Sequence, residues 1–134
     1  GYSLRKVCNE MHDFYRQANV KQLQKLCFRA SSFPELAMPS KDAFEKLVAN
    51  EVEYVPMTEI KGRVAATLAL IYPPGIGVIV PGERWDERAK PMLDYFLTFE
   101  DSFNRFPGFN YEVQGVYQET KDGRIKFYTY VVRE

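Results

Sequence analysis

The order of apolar patterns along this chain predicts an α+β fold, with helices packed on a mixed or antiparallel sheet and a β-hairpin at the end. Three observations carry that prediction. Residues 3–30 repeat apolar side chains at helical spacing. Two apolar runs, 64–72 and 76–80, meet at Pro73-Pro74-Gly75 and are closed by Pro81-Gly82, the signature of buried strands around a rigid corner. Finally, 111–118 and 124–132 flank a polar stretch ending in Gly123, as a hairpin would. The elements do not alternate as strand–helix–strand, so a parallel doubly wound sheet is not expected.

Taken in order, Leu4, Val7, Cys8, Met11, Phe14, Tyr15 and Ala18 form one helical stripe, and Ser3 is placed to cap it through its side-chain oxygen. A break is expected near Asn19. Val20, Leu23, Leu26, Cys27 and Ala30 then continue the stripe until Ser31-Ser32-Phe33-Pro34 ends it. Ser40 should cap a second helix over 41–50 that buries Ala43, Phe44, Leu47 and Val48. A short strand over 51–56 and a turn over 58–62 closed by Gly62 follow. Asp86 should cap a third helix reaching Arg105, with Met92, Phe96, Phe99 and Phe103 on one face. Pro91 requires either an irregular first turn or a regular helix that starts at Pro91. Pro107-Gly108 stops that helix. Between the last two strands the hairpin loop spans 119–123, and Gly115 inside the first of them marks a bulge or a close backbone approach.

At 134 residues the chain reads as one domain, 1–134, with a helical part at 1–30, an α+β part at 40–134 and its best linker candidate at 31–40. Hydrophobic residues make up 46%, ample for a core. Aromatics at 15%, concentrated in the last third, suggest a surface that meets another domain or subunit. Eighteen bases balance eighteen acids with no basic block, so neither nucleic acid nor an anionic membrane is an expected partner. No apolar run approaches a membrane span, and Gly1-Tyr2-Ser3 begins no signal-peptide pattern. Cys8 and Cys27 fit no metal spacing and read as reduced thiols of a cytoplasmic protein.

Catalytic chemistry is hard to assemble from these residues. His12 is the only histidine, and a lone helical histidine is more often structural or solvated than catalytic. Ser3-Leu4-Arg5-Lys6 matches a Ser-x-x-Lys pattern at a helix cap, a three-position coincidence. Gly75-Ile76-Gly77 begins like a dinucleotide fingerprint, but Val80 occupies the third glycine's place and no helix opens there. The acidic pairs Glu51/Glu53, Asp86/Glu87 and Glu100/Asp101 read most simply as charges on exposed faces. No catalytic, cofactor-binding or metal-binding residue is assigned. A free-standing module that binds a small charged ligand, with the Pro-Pro-Gly corner as pocket wall, is one reading of such a chain; a purely structural dimerisation domain is another.

Several separated segments resemble a known family. The run over 67–84, the motif Asn104-Arg105-Phe106-Pro107-Gly108-Phe109, the segment Val113-Gln114-Gly115-Val116-Tyr117 and the opening Glu10-Met11-His12-Asp13-Phe14-Tyr15 resemble the C-terminal domain of bacterial ornithine/lysine/arginine decarboxylases. With the ending over 127–132, they are most similar to the inducible ornithine decarboxylases of that family. The resemblance implies one end of a longer enzyme whose pyridoxal 5'-phosphate sits on a lysine preceded by histidine, a pair that this chain lacks. It implies as partners the remaining domains, a homodimer and a larger ring of dimers, with ornithine the substrate of the whole enzyme. It also implies that Tyr72, Pro73, Pro74, Gly75, Pro81, Gly82, Glu83 and Arg84 form the segment nearest the rest of the enzyme, as interface or channel scaffold. The isolated chain is expected to bind no cofactor and to be inactive.

Overall fold

The structure, a computed structural model, describes residues 3–72, 78–108 and 112–134. The chain opens with helix α1, Leu4–Gln17, capped as expected by Ser3, whose hydroxyl accepts from the Lys6 amide at 3.2 Å. Asn19 takes a left-handed conformation, φ 55°, which a short polar side chain tolerates, and this separates α1 from α2, Val20–Cys27. The helix therefore ends earlier than expected, and Ala30–Ser32 forms a separate 3-10 turn.

The long helical stripe is only partly used. No residue of α1 is buried. Its second half packs: Phe14 meets Phe106 edge to face at 5.8 Å, and the Tyr15 hydroxyl lies 2.6 Å from Ser102 Oγ. Helix α2 continues the packing, with Cys27 fully buried and Val20 and Leu23 at the edge of the main core.

Helix α3, Ser40–Val48, starts one residue earlier than expected. Ser40 is its first residue rather than its cap, because the hydroxyl donates to the Pro81 carbonyl at 2.7 Å. Ala43 is buried, but Phe44 and Val48 stay 57% and 71% exposed, contrary to the amphipathic reading. The helix leans on the sheet through Ala43, buried against Val52 and Val132, and the half-buried Leu47.

The core is organised by helix α4, Lys90–Arg105. Asp86 caps the turn before it, accepting from the Arg88 and Ala89 amides at 3.0 and 3.2 Å. Pro91 falls in the first helical turn, where a backbone N–H has no partner to lose. Met92, Tyr95, Phe96, Phe99 and Phe103 are buried along one face, with Trp85 set edgewise on Phe96. Most of the aromatic surplus of the last third is thus spent inside the chain.

Two antiparallel sheets complete the fold: β1 (Val52–Pro56), β5 (Arg124–Val132) and β4 (Tyr117–Lys121) in the order β1-β5-β4, and β2 (Leu70–Tyr72) with β3 (Glu112–Gln114). The strand expected over 111–118 is therefore two strands in two sheets; residue 111 lies outside the described residues. Gly115 makes the division. Its φ is +77°, and a Cβ there would fall 1.9 Å from the Leu68 carbonyl oxygen. The hairpin turn is tighter than expected: Lys121 pairs with Arg124 across Asp122-Gly123, whose φ values of 54° and 75° suit a two-residue loop.

The run over 64–72 is buried as expected but is a regular strand only at its end. Val64, Ala65 and Ala69 make single bridges to Arg84, Val131 and Ile79, three different neighbours, so no ladder propagates. Of the following apolar run, Val78 and Ile79 are buried; 76 and 77, with the Pro73-Pro74-Gly75 corner, lie outside the described residues.

Strand β1 ends at Pro56 opposite Tyr128, leaving the rest of β5 without a neighbour on that side. Helix α4 replaces the missing strand with side chains. Asn104 Oδ1 accepts from the Ile125 amide at 2.7 Å while its Nδ2 donates to the Ile125 carbonyl at 2.8 Å. One turn earlier, Glu100 Oε2 accepts from the Phe127 amide at 2.8 Å. Unpaired backbone groups at a covered sheet edge cost free energy, and these two side chains remove that cost.

Candidate functional site

The segment singled out in the sequence splits into parts. Residues 80–83 form a reverse turn, with the Glu83 amide donating to the Val80 carbonyl at 3.1 Å. Pro81 and Gly82 take the two central positions, and the φ of +94° at Gly82 is what a type II turn requires there. A Cβ on Gly82 would stand 2.2 Å from the Met38 carbonyl oxygen, so the close approach also demands glycine. The Gly82 carbonyl accepts from the Ala37 and Met38 amides at 2.9 and 3.3 Å, and its amide donates to Ala65. Residues 35–40, the second part of the linker candidate 31–40, are thereby stitched onto the turn.

Glu83 closes the turn with its side chain, accepting from the Val80 amide at 2.8 Å. Burial raises its carboxyl pKa; the Val80 hydrogen bond opposes this, and the nearby Asp86 charge adds to it. Arg84 reaches three further segments. It donates to the Gly62 carbonyl at 2.7 Å and to Glu134 at 3.2 Å, and its guanidinium lies 3.7 Å from the Glu35 carboxylate. Pro81, Gly82, Glu83 and Arg84 are thus brought together as a knot whose hydrogen bonds are made within the chain. Tyr72 stands elsewhere, closing β2 opposite Glu112 with 55% of its surface exposed. Pro73, Pro74 and Gly75 lie outside the described residues.

The other candidates have ordinary occupations. His12 Nε2 sits 2.7 Å from Arg16 on exposed α1, beside a shallow hollow of about 390 Å³ floored by Tyr15, Val20 and Phe99. The Ser3 hydroxyl is engaged as a cap. Glu51 pairs with Lys46, Glu53 with Arg63, Glu87 with Lys61 and Asp101 with Arg124. Asp86 serves as a cap. Glu100 departs from the exposed-charge expectation: it is 8% exposed, and burial raises its pKa against the opposing hydrogen bond from Phe127. Among the described residues no group of three or more His, Cys, Asp or Glu is placed to hold a metal ion. Cys8 and Cys27 are free. Burial, with the Asp94 charge adding, pushes the Cys27 thiol up to about 12, so it remains protonated and its sulfur rests 3.6 Å from the Pro91 carbonyl. No helix among the described residues is long and apolar enough to cross a membrane.

One feature escaped the sequence reading. On the sheet face away from α4, Tyr54 stacks on Tyr128 with centroids 5.0 Å apart and lies 4.9 Å from Tyr130, with Tyr117 beside them. The Tyr54 hydroxyl donates to Glu119 at 2.9 Å; burial and that carboxylate together raise its pKa. Lys121 Nζ sits 4.7 Å above the Tyr128 ring. The period-2 placement of Tyr128 and Tyr130 in β5 was the available signal.

Comparison with known proteins gives this fold a family. The profile of the Orn/Lys/Arg decarboxylase C-terminal domain matches residues 21–133. An ornithine decarboxylase of Haemophilus influenzae is 50% identical over 135 aligned residues, covering all of this chain and 18% of that protein. The lysine decarboxylase LdcA of Pseudomonas aeruginosa is 41% identical over 92% of this chain and 16% of its own length. The solved structure of lysine decarboxylase A from Pseudomonas aeruginosa superimposes with a TM-score of 0.88 at 34% identity, covering 99% of this chain and 18% of that one. The chain therefore spans less than a fifth of the length of these relatives. It belongs to the family of Orn/Lys/Arg decarboxylase C-terminal domains.

Proposed function

We propose that this chain is the C-terminal domain of a pyridoxal-phosphate-dependent decarboxylase that converts L-ornithine to putrescine and CO₂, and that it serves in assembly and in scaffolding the active-site entrance. The observation that carries the ornithine reading is the identity of 50% with an ornithine decarboxylase across the whole chain, against 41% with a lysine decarboxylase. The residues present do not fit the cofactor. The single histidine, His12, is followed by Asp13 rather than lysine, and the Gly82 turn directs its amide into the chain instead of toward a phosphate. Bound elsewhere in the enzyme, the cofactor supplies an electron sink for the carbanion left by loss of CO₂.

What this domain contributes is rigidity and surface. The knot at 81–84 fixes residues 35–40, Gly62 and the C-terminal Glu134 relative to one another. That is what a wall beside an entrance requires. The exposed Phe44, Val48, Tyr54, Tyr72 and Tyr117 offer apolar area to other domains or subunits of a dimer and a ring of dimers.

Two measurements test the reading. An immunoblot of source-cell extract raised against this chain should show a band several times heavier than 15.6 kDa. The purified parent should then release CO₂ from ornithine with a higher kcat/KM than from lysine or arginine, and the isolated chain should release none. A parent that prefers lysine rejects ornithine as substrate. Turnover by the isolated chain rejects the placement of catalysis elsewhere, and a band at the chain's own mass favours a free-standing binding or oligomerisation module.

A further inference from the structure

We propose that the hollow at the open edge of β5 is a binding site for a small zwitterionic amino acid. It lies where β1 stops at Pro56, between that end, α4 and the first residues of β5, and its volume is about 390 Å³. Small-molecule sites span about 300–1,000 Å³. Glu100, 8% exposed, forms the base. Asp101, Arg124 and Lys126 stand at the mouth, the first two with side chains 61% and 60% exposed, and Pro56 and Leu97 give apolar walls. Every group in the site belongs to this chain, so the inference stands apart from the decarboxylase reading.

Capping the Phe127 amide uses only half of the Glu100 carboxylate. Oε2 accepts from that amide at 2.8 Å, and among the described residues nothing donates to Oε1. Among the described residues the one side-chain polar atom buried without a partner is Trp85 Nε1, so Oε1 is not sealed in and opens into the hollow that Glu100 lines. It is an acceptor for a donor that enters from outside. Burial, with the Asp101 charge adding, raises the Glu100 pKa further than the Phe127 hydrogen bond, Arg124 and Lys126 lower it, so a ligand ammonium supplies countercharge that the chain does not. The mouth carries the opposite charge. Among the described residues Lys126 enters no ion pair, and Arg124 enters one, with Asp101 at 3.5 Å. Two acids and two bases leave the site neutral, which favours a ligand that is neutral overall and charged at both ends. A diamine sets an ammonium against Lys126 and Arg124, and a simple carboxylate leaves Glu100 without a partner. An amino acid satisfies both ends: its ammonium meets Glu100, its carboxylate meets Lys126 and Arg124, and its aliphatic part rests on Pro56 and Leu97.

Hydrogen exchange on the purified full-length parent tests this with L-norvaline, an aliphatic amino acid. The Ile125 and Phe127 amides, held by Asn104 and Glu100, report from the site itself. A site with a Kd of about 1 mM should slow their exchange about tenfold at about 10 mM norvaline, because the opening that permits exchange must first release the ligand. Putrescine and pentanoate, each with one kind of charge, should slow it by less than about twofold at the same concentration. Glu100→Gln keeps an acceptor for the Phe127 amide and removes the charge that holds the ammonium. Lys126→Gln removes the carboxylate's partner from an exposed side chain and leaves the core untouched. Each substitution should abolish the norvaline effect, measured as the ratio of rates with and without ligand in the same variant. No slowing by norvaline in the unmodified parent overturns the site. Slowing that survives either substitution, or that putrescine or pentanoate produces equally, overturns it as well.

Discussion

The two faces of the β1-β5-β4 sheet are built from alternate residues of the same strands and have opposite fates. Toward α4, β5 presents Phe127 and Val131, both fully buried, and α4 answers with Phe103, set edgewise on Phe127 at 5.2 Å. Toward the other side it presents Tyr128 and Tyr130, which gather Tyr54 and Tyr117 into a cluster that is partly open. The covered face is also closed by polar groups, since Glu100 and Asn104 cap the backbone beyond the end of β1. On the open face the polar partners, Glu119 and Lys121, are exposed residues of β4. Alternation at period 2 thus gives one face to α4, while on the other Val52 and Val132 are buried with Ala43 of α3 and only the tyrosine end is left as surface that a larger assembly can use.

The difference should appear first in the largest apolar contact. Phe127→Ala removes a fully buried ring and should cost about 3–5 kcal/mol in urea unfolding. A cost below about 1 kcal/mol would mean that α4 does not depend on that face.

Next in size is the surrogate strand. Asn104→Ala leaves the Ile125 amide and carbonyl without their partners, a loss of about 2 kcal/mol because Ile125 is half-buried and water partly compensates. Asn104→Asp should recover only the bond from the Ile125 amide, since a carboxylate cannot donate to the carbonyl. Equal stability of the Ala and Asp variants would contradict the two-bond description.

Glu100 sharpens the comparison through pH. Its pKa is raised in the folded state, chiefly by burial, so the folded chain holds its proton more tightly than the unfolded chain. The stabilisation is complete below the ordinary glutamate value of about 4.3 and is lost as pH rises through the raised folded value. Glu100→Gln keeps an acceptor for the Phe127 amide and removes the titration. The variant should therefore be more stable than the native chain near neutral pH, with the gap closing on acidification. Parallel stability–pH curves for the two proteins would refute the assignment.

Legibility followed the range of the interaction. Ser3, Asp86, Asn19 and the Asp122-Gly123 turn act on neighbours within a few residues, so the sequence announced the caps, the break and the hairpin, though it set the loop three residues too wide. The run over 64–72 showed its burial but not its partners, because three separate neighbours are chosen by the packing of the whole chain. The exposed Phe44 and Val48 misled for the same reason: a helical stripe states which side could be buried, not how much of it finds a surface. Glu100 looked like a charge on an exposed face and Asn104 stood out only as a motif residue; the end of β1 at Pro56 is what gives both of them backbone to satisfy. Asn104 opens one of the motifs that carried the family resemblance, and its contacts explain why that position takes an amide. In the candidate segment, the Pro81-Gly82 turn was readable from its residue types, whereas the reach of Arg84 to Gly62, Glu35 and Glu134 was not.

The smallest expected effect belongs to the open face. Tyr54→Phe deletes the hydroxyl that donates to Glu119 but leaves the ring stacked on Tyr128. Both partners are solvent-exposed, so water replaces the lost bond and stability should change by less than about 0.5 kcal/mol. Tyr54→Ala removes the ring itself and should cost about 1 kcal/mol, from aromatic contacts that extend across β1, β4 and β5. If this face is used by other domains or subunits, the same Tyr54→Ala change should weaken the assembly of the full-length parent, read by sedimentation, more than it weakens the fold of this domain. Equal losses in fold and assembly would place the tyrosines with the core, and the contrast between the two faces would reduce to a difference in solvent exposure.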